Sequence, residues 1–107
     1  MPYLMTTSIY PTDKATEVAE KYMEMLAKYP PDENLTKELV PAAVKTTHDG
    51  VKVMLIAETK EGKLEEALNR AINQMVVFID VVGFEYTIDV YMTVEEALAT
   101  IGMSLPE

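Results

Sequence analysis

The sequence predicts an α+β fold in which two helices pack on one face of a four-stranded antiparallel sheet. Short segments with period-two alternation are interleaved with two long segments of helical period, in the order strand, helix, strand, strand, helix, strand. An Asp49-Gly50 pair predicts a tight hairpin between the two middle strands. Because the crossovers between strands are expected to be right-handed, the predicted spatial order of the strands is 4-1-3-2.

The first half of the chain predicts a strand, a helix and an edge strand. Residues 3–10 are rich in β-favouring side chains. Apolar residues at spacings of three and four then predict a helix, which Pro30 and Pro31 end. Residues 31–38 are predicted as a loop or a single helical turn, and residues 39–47 as a strand. Pro41 cannot donate to a strand ladder, so this strand is predicted at an edge or with a bulge.

The second half predicts the central strand, a long helix, the last strand and a short helix. In the central strand, alternation places Val51, Val53, Leu55 and Ala57 on one face and Lys52, Met54, Ile56 and Glu58 on the other. Residues 64–82 have helical period, which predicts a helix ended by Gly83, although a strand is the alternative for the apolar run 75–82. Residues 84–92 alternate and predict the last strand. Thr93 and Glu96 have capping-box spacing, which predicts a short helix over residues 94–101.

Composition restricts the classes of function. The 107 residues suffice for a single domain, and without cysteine there are no disulfides and no thiolate chemistry. The net charge is −9 and Arg70 is the only arginine, which disfavours binding to the phosphate backbone of nucleic acid. No signal peptide and no apolar run of about 20 residues is found. We therefore expect a cytoplasmic protein with no nucleic-acid or membrane partner.

One face of the predicted sheet, the open face, has neither long helix to cover it, and the short C-terminal helix is the one segment left that could do so. Alternation assigns to it Leu4, Thr6, Ser8 and Tyr10 from the first strand, Lys52, Met54, Ile56 and Glu58 from the third, and Glu85, Thr87, Asp89 and Tyr91 from the last. Met54 and Ile56 in water would form an exposed apolar patch. Burial of Glu58 and Asp89 without partners would cost several kcal/mol each. Such a mixed face suits a closed cavity that holds water or a ligand.

With this element order and the two-faced segments VKVMLIAE and FEYTIDVYM, the chain resembles the dimeric α+β-barrel group of ferredoxin-like βαββαβ proteins. In that group two subunits bring these sheet faces together and keep a pocket on each. The group includes small monooxygenases, muconolactone-isomerase-like and dye-peroxidase-like enzymes, and ligand-sensing regulator domains. The resemblance covers nearly the whole chain and implies a homodimer, but no catalytic motif of a particular family is matched.

The side chains of the predicted open face are the candidates for chemistry. Glu58 and Asp89, with Glu85 beside them, are candidates for a proton-abstracting base. The predicted ligand-binding residues are Thr6, Ser8, Tyr10, Lys52, Met54, Ile56, Thr87 and Tyr91. The alternative is that Lys52 and Lys45 pair with the carboxylates and that the face is structural.

His48 is the only histidine and a candidate acid, base or haem ligand, but it falls in the hairpin turn, where an exposed turn residue is the favoured interpretation. A single histidine excludes a zinc or non-haem-iron triad, and no Asp-rich loop predicts a site for a hard cation. We therefore predict no metal site and no cofactor.

Two functions are compatible with these features. The first is a homodimer whose open faces enclose a small aromatic or otherwise largely apolar molecule. Such a protein binds the molecule or converts it without a metal, in a monooxygenase- or isomerase-like reaction, and whether it is an enzyme stays open. The second is a non-catalytic assembly or regulatory module, in which the apolar Met75–Val82 segment mediates oligomerisation or binds a partner.

Overall fold

The strands form one sheet in the predicted order. The computed structural model describes residues 1–106, in which β1 (Tyr3–Tyr10), β2 (Thr36–Thr47), β3 (Gly50–Thr59) and β4 (Glu85–Tyr91) pair antiparallel. The sheet has the order β2-β3-β1-β4, which is the order 4-1-3-2 counted from the opposite edge. The α+β class, the antiparallel sheet and the strand order are therefore confirmed, and they are compatible with a ferredoxin-like fold.

Three α-helices accompany the sheet. A 3-10 turn at Thr12–Lys14 leads into α1 (Ala15–Lys28), and α2 (Leu64–Val76) and α3 (Val94–Ala99) follow later in the chain. The predicted capping box begins α3, because the Thr93 hydroxyl accepts from the Glu96 N–H and the Glu96 carboxylate accepts from the Thr93 N–H. The Met1 ammonium group donates to the same carboxylate at 2.7 Å, and these hydrogen bonds lower the pKa of Glu96.

The helix predicted over residues 64–82 is shorter in the structure. It ends at Val76, and the chain continues in tighter turns, in which the Ile79 N–H donates to the Val76 carbonyl and the Val81 N–H to the Phe78 carbonyl. Phe78 and Val81 are buried by these turns, while Ile79 and Val82 are 75% and 74% exposed. Apolar spacing did not reveal this change, since residues three apart share a side both in such turns and in an α-helix.

The edge strand β2 starts at Thr36, three residues before the predicted start. Its pairing with β3 shifts register between Glu38 and Val40, and again between Val40 and Ala43. Pro41 lies inside the second shift, where the ladder does not require the N–H that proline lacks. Both parts of the prediction for Pro41, the edge position and the bulge, are confirmed.

The two faces of β1 are the reverse of the prediction. Leu4, Thr6, Ser8 and Tyr10 are buried. Tyr10 lies opposite Val51 of β3, and directly opposed residues in an antiparallel pair share a face. The assignment of Thr6, Ser8 and Tyr10 to the open face is therefore wrong, because these side chains lie on the other side of the sheet. Alternation alone did not decide the orientation, since both faces of β1 mix hydroxyl and apolar side chains.

Two clusters of buried side chains lie against that face of the sheet. One joins Tyr10 and Val51 to Val18 and Met25 of α1 and to Phe78 and Val81 after α2, and the other joins Leu4 to Leu35 and Ala67. The Phe78 ring stacks on the Phe84 ring, with centroids 4.8 Å apart and planes 7° apart. Leu4 and Tyr10 lie on the same face of β1, so both clusters include side chains of that face.

Gly50 marks a position where only glycine fits. Its φ is 134°, and a Cβ there would lie 2.3 Å from the Tyr10 carbonyl oxygen. We expect Gly50→Ala to lower the free energy of unfolding by about 3 kcal/mol or more in urea denaturation, because strain and overlap add. Gly62→Ala is the control, since Gly62 also has a positive φ, of 72°, but its Cβ would meet no atom within 4 Å. Its expected loss is about 1 kcal/mol. Equal losses would contradict the close approach at Gly50.

Tyr10 gives the fold a dependence on alkaline pH. Burial raises the pKa of the Tyr10 phenol. The unfolded chain then loses this proton at a lower pH than the folded chain, so the contribution of Tyr10 to stability is complete below about pH 10 and is lost as the pH rises further. Tyr10→Phe is expected to flatten this loss in urea denaturation between about pH 8 and 11. Superimposable profiles for Tyr10→Phe and the unchanged protein would argue against the burial of the phenol.

Candidate functional site

The register redefines which side chains make up the open face. It consists of Tyr3, Met5, Thr7 and Ile9 from β1, Lys37, Val40, Ala43 and Lys45 from β2, Lys52, Met54, Ile56 and Glu58 from β3, and Glu85, Thr87, Asp89 and Tyr91 from β4. None of these residues belongs to the two buried clusters beneath the helices. The predicted site residues of β3 and β4 thus lie together on the open face. The predicted site residues of β1, which are Thr6, Ser8 and Tyr10, lie on the opposite face.

Apolar side chains occupy the centre of the open face. Met5 lies directly between Ile56 and Asp89 on the neighbouring strands, and Thr7 lies between Met54 and Thr87. Met5, Met54 and Ile56 are only partly buried in the chain. The centre is therefore an apolar area with hydroxyl groups and one carboxylate at its border.

Charges lie around this centre, and the two sides of the face differ in sign. At the hairpin end, Lys45 lies opposite Lys52, which brings two like charges together on β2 and β3. On the far side of the sheet, β4 carries Glu85 and Asp89. The face therefore has a basic side along β2 and an acidic side along β4.

The two predicted catalytic carboxylates do not form a pair. Glu58 lies opposite Tyr3 and Asp89 opposite Met5, on strands that β1 separates. Strand spacing and rise place their Cα atoms roughly 12 Å apart. Each carboxylate would therefore act alone as a base, and no proton is shared between them. Within residues 1–106, the salt bridges of the chain do not include Lys45 or Lys52, the partners that a purely structural role would use.

A shallow depression crosses the hairpin end of the sheet. Its volume is about 380 Å³, and its walls include Lys52, Thr87 and Ser8 of the predicted ligand-binding set, together with Glu85. Lys52 and Glu85 flank Ile9 on its two neighbouring strands. This end of the face presents both signs of charge to solvent.

A smaller cavity lies on the other side of the sheet, beneath α1 and α2. It has a volume of about 130 Å³, and Thr6 lines it together with Leu4, Met25 and Ala67. An apolar cavity of roughly 150 Å³ holds a benzene molecule, so this space admits at most a single ring. Thr6 is therefore a cavity-lining residue, but of a cavity that Glu58 and Asp89 do not face.

Arg70 lies at the border of this cavity and was not among the predicted site residues. One guanidinium nitrogen, Nη2, donates to the Tyr29 carbonyl at 3.0 Å and also to the Pro30 carbonyl, where the chain leaves α1. Arg70 also lines a polar depression of about 350 Å³ with Asp32, Glu38, Lys60 and others. The only signal in the sequence was that Arg70 is the sole arginine, because the apolar periodicity of α2 does not single this residue out.

His48 is exposed in the two-residue turn between β2 and β3, as the favoured interpretation predicted. In the part of the chain that the structure covers, no three or more His, Asp and Glu side chains come together as a metal site would require. The helices of that part are also too short or too polar to cross a membrane.

Comparisons with known proteins leave this geometry without a named relative. The chain was compared with protein-family models, with curated proteins and with solved structures, and nothing matched in any of the three. The functional argument therefore rests on the open face and on the contacts of its residues.

The contacts of Arg70 predict a role in holding α2 against the end of α1. Arg70→Lys keeps the charge, but the lysine side chain is one bond too short to place its nitrogen where Nη2 contacts both carbonyls, so we expect the free energy of unfolding to fall by about 1–2 kcal/mol in urea denaturation. Lys60→Met is the control, because Lys60 lines the same polar depression and is exposed. Its expected change is within about 0.5 kcal/mol. If the Arg70→Lys variant is as stable as the unchanged protein, this role of Arg70 is refuted.

Proposed function

We propose that the protein is a homodimer that binds a small, largely apolar molecule between the open faces of its two sheets. In this proposal each subunit has the complete ferredoxin-like βαββαβ arrangement, with both long helices on the face opposite the ligand. The observation that supports it is the open face, where Met5, Met54 and Ile56 form an apolar centre that is only partly buried and lies outside the two buried clusters of residues 1–106.

The shape of the chain supports a partner over this face. The Cα radius of gyration is 15.6 Å, whereas a compact domain of this length has about 13 Å. Four strands of eight residues span roughly 19 by 26 Å, or about 500 Å² before side-chain relief is counted. This is of the same order as the roughly 800 Å² that each partner buries in a stable interface. A second copy would therefore cover the apolar centre.

Charge favours one orientation of the two copies. With the two-fold axis parallel to the strands, β2 of one copy faces β4 of the other, and Lys45 faces the partner's Glu85. With the axis perpendicular to the strands, Lys45 faces the partner's Lys37, which offsets the attraction between Lys52 and the partner's Glu58. The parallel axis brings the basic side of one face onto the acidic side of the other without such a conflict.

The same orientation defines the chemistry of the enclosed space. Ile56 then faces the partner's Met5, and Met54 faces the partner's Thr7, so the middle of the space is apolar with hydroxyl groups at its border. A small aromatic or aliphatic molecule fits these walls. If the molecule is converted, Glu58 or Asp89 is the base, and Lys52, Thr87 and Tyr91 orient the substrate, as in a monooxygenase- or isomerase-like reaction. Thr6, Ser8 and Tyr10 are not among the residues that line the middle of this space, because they are buried and pair with the opposite face of β3, and Ser8 reaches only the depression at the hairpin end.

The Met75–Val82 segment supports a second candidate function, that of an assembly module. Ile79 and Val82 project from the turns after α2 and are 75% and 74% exposed. Two exposed branched apolar side chains so close together suit a contact with another protein chain. In this alternative the association of the protein depends on that segment and the open face holds no ligand.

Substitution of Ile56 separates these candidates. We expect Ile56→Lys to halve the mass of the assembly in sedimentation velocity, because it places a buried charge at the centre of the interface. The same variant should abolish the fluorescence increase of the neutral apolar probe N-phenyl-1-naphthylamine. Ile79→Lys is the control and should leave both readouts unchanged.

If the mass and the probe binding respond to Ile79→Lys and not to Ile56→Lys, the proposal is refuted and the assembly module is favoured. Probe binding that survives Ile56→Lys, with the mass halved, would keep the dimer and reject the ligand space between the sheets.

A further inference from the structure

The two edges of the sheet differ in their protection against pairing with a further strand. The edge formed by β2 contains Pro41, two register shifts and the side chains of Lys37 and Lys45. Proline, bulges and lysine are the devices that keep an edge strand from pairing. The edge formed by β4, Glu85–Tyr91, has no proline, no lysine and a regular register with β1. Only the β4 edge is therefore built so that another strand can pair with it.

The outer side of β4 has unused pairing capacity. The strand pairs with β1 alone, and the backbone hydrogen bonds outside the helices and strands of residues 1–106 do not involve residues 85–91. Its Tyr, Thr, Ile and Val side chains favour β-structure. Tyr86 and Val90 lie on the face that the helices cover, yet they are 42% and 47% exposed. The β4 edge therefore presents backbone groups without a neighbouring strand, together with exposed apolar side chains.

Like charges exclude two of the three central registers in which β4 can pair with a second copy of itself. A two-fold axis perpendicular to the sheet makes the pairing antiparallel, with one residue opposite its own copy. If that residue is Thr87, Glu85 lies opposite the partner's Asp89. If it is Asp89, two copies of Asp89 oppose each other. Like charges directly opposite destabilise a strand pair, so both registers are disfavoured.

The register centred on Ile88 has no such conflict and uses all seven residues of β4. It pairs Glu85 with Tyr91, Tyr86 with Val90, Thr87 with Asp89 and Ile88 with its own copy. On the helix-covered side, Tyr86 and Val90 then form aromatic and β-branched pairs that continue across the junction. On the other side, the Thr87 hydroxyl faces the partner's Asp89, a hydrogen-bond acceptor.

We propose that the outer edge of β4 is a self-association surface, which pairs with β4 of a second copy in the register centred on Ile88. The product is an eight-stranded sheet that runs through two chains. This surface is the edge of the sheet and leaves the open face free, so it does not depend on the proposed function. Where both surfaces are occupied, the assembly contains more than two chains.

Disulfide cross-linking tests the register directly, since the chain has no cysteine of its own. Thr87→Cys and Asp89→Cys variants are mixed and oxidised. In the proposed register residues 87 and 89 of opposite copies have Cβ atoms about 4.5–5.5 Å apart, near the range for a disulfide. Two copies of residue 87 are roughly 8 Å apart in this register. If the two chains instead stack their sheets face to face, residues 87 and 89 of opposite copies are about 10 Å apart or more. We expect a cross-linked dimer from the mixture and none from either variant alone.

Cross-linking of either variant alone as efficiently as the mixture would overturn the register. No cross-linking in the mixture would overturn edge pairing itself.

Association of the Ile56→Lys variant provides a second test, because that change removes contact through the open face. In this background we expect sedimentation velocity to show a dimer whose dissociation constant Val90→Lys raises at least about tenfold, since the new charge lies against the partner's Tyr86. Val44→Lys is the matched control, as Val44 is an exposed valine, 66% accessible, on the protected edge strand. A monomer at all concentrations, or a dimer that responds equally to both lysines, would overturn the proposal without affecting the proposed function.

Discussion

The register between β1 and β3 is the constraint on which the rest of the structure depends. It sets Tyr10 opposite Val51 and so decides which side chains of β1 are buried. The close approach of Gly50 to the Tyr10 carbonyl permits this register at the hairpin end, because no other residue leaves room there. A slip by one residue would exchange every side chain of β1 between the two faces. Burial of Leu4 and Tyr10, and only partial burial of Met5 and Ile9, follow from this single pairing.

Much of the fold was predictable because several local signals agreed with the tertiary structure. Pro41 indicated an edge, Thr93 and Glu96 indicated a helix start, and strict alternation located β4. These signals are local, since a missing N–H or a capping oxygen acts within a few residues. The end of α2 was not predictable in this way, because the turns that follow it keep the apolar spacing of a helix.

The composition of the open face was only half predictable. Lys52, Met54, Thr87 and Asp89 lie where alternation placed them, because β3 and β4 each have one clearly more apolar side. Thr6 and Ser8 were misplaced, because small hydroxyl side chains are compatible with a buried sheet surface and do not mark the exposed side. Arg70 gave no periodic signal, since its contacts are with carbonyls forty and forty-one residues away in the chain. Long-range contacts of this kind are absent from any local pattern.

The irregular edge at Pro41 also limits how far a sheet of this protein extends by edge pairing. A sheet that grows by edge pairing needs two competent edges on each chain, as in a fibril. Here β2 offers a bent, lysine-bearing edge on one side, so any pairing through the other side leaves bulged strands at both outer borders. Extension of a single sheet by edge pairing therefore stops at two chains, and the same proline that shapes one strand keeps the sheet from growing further.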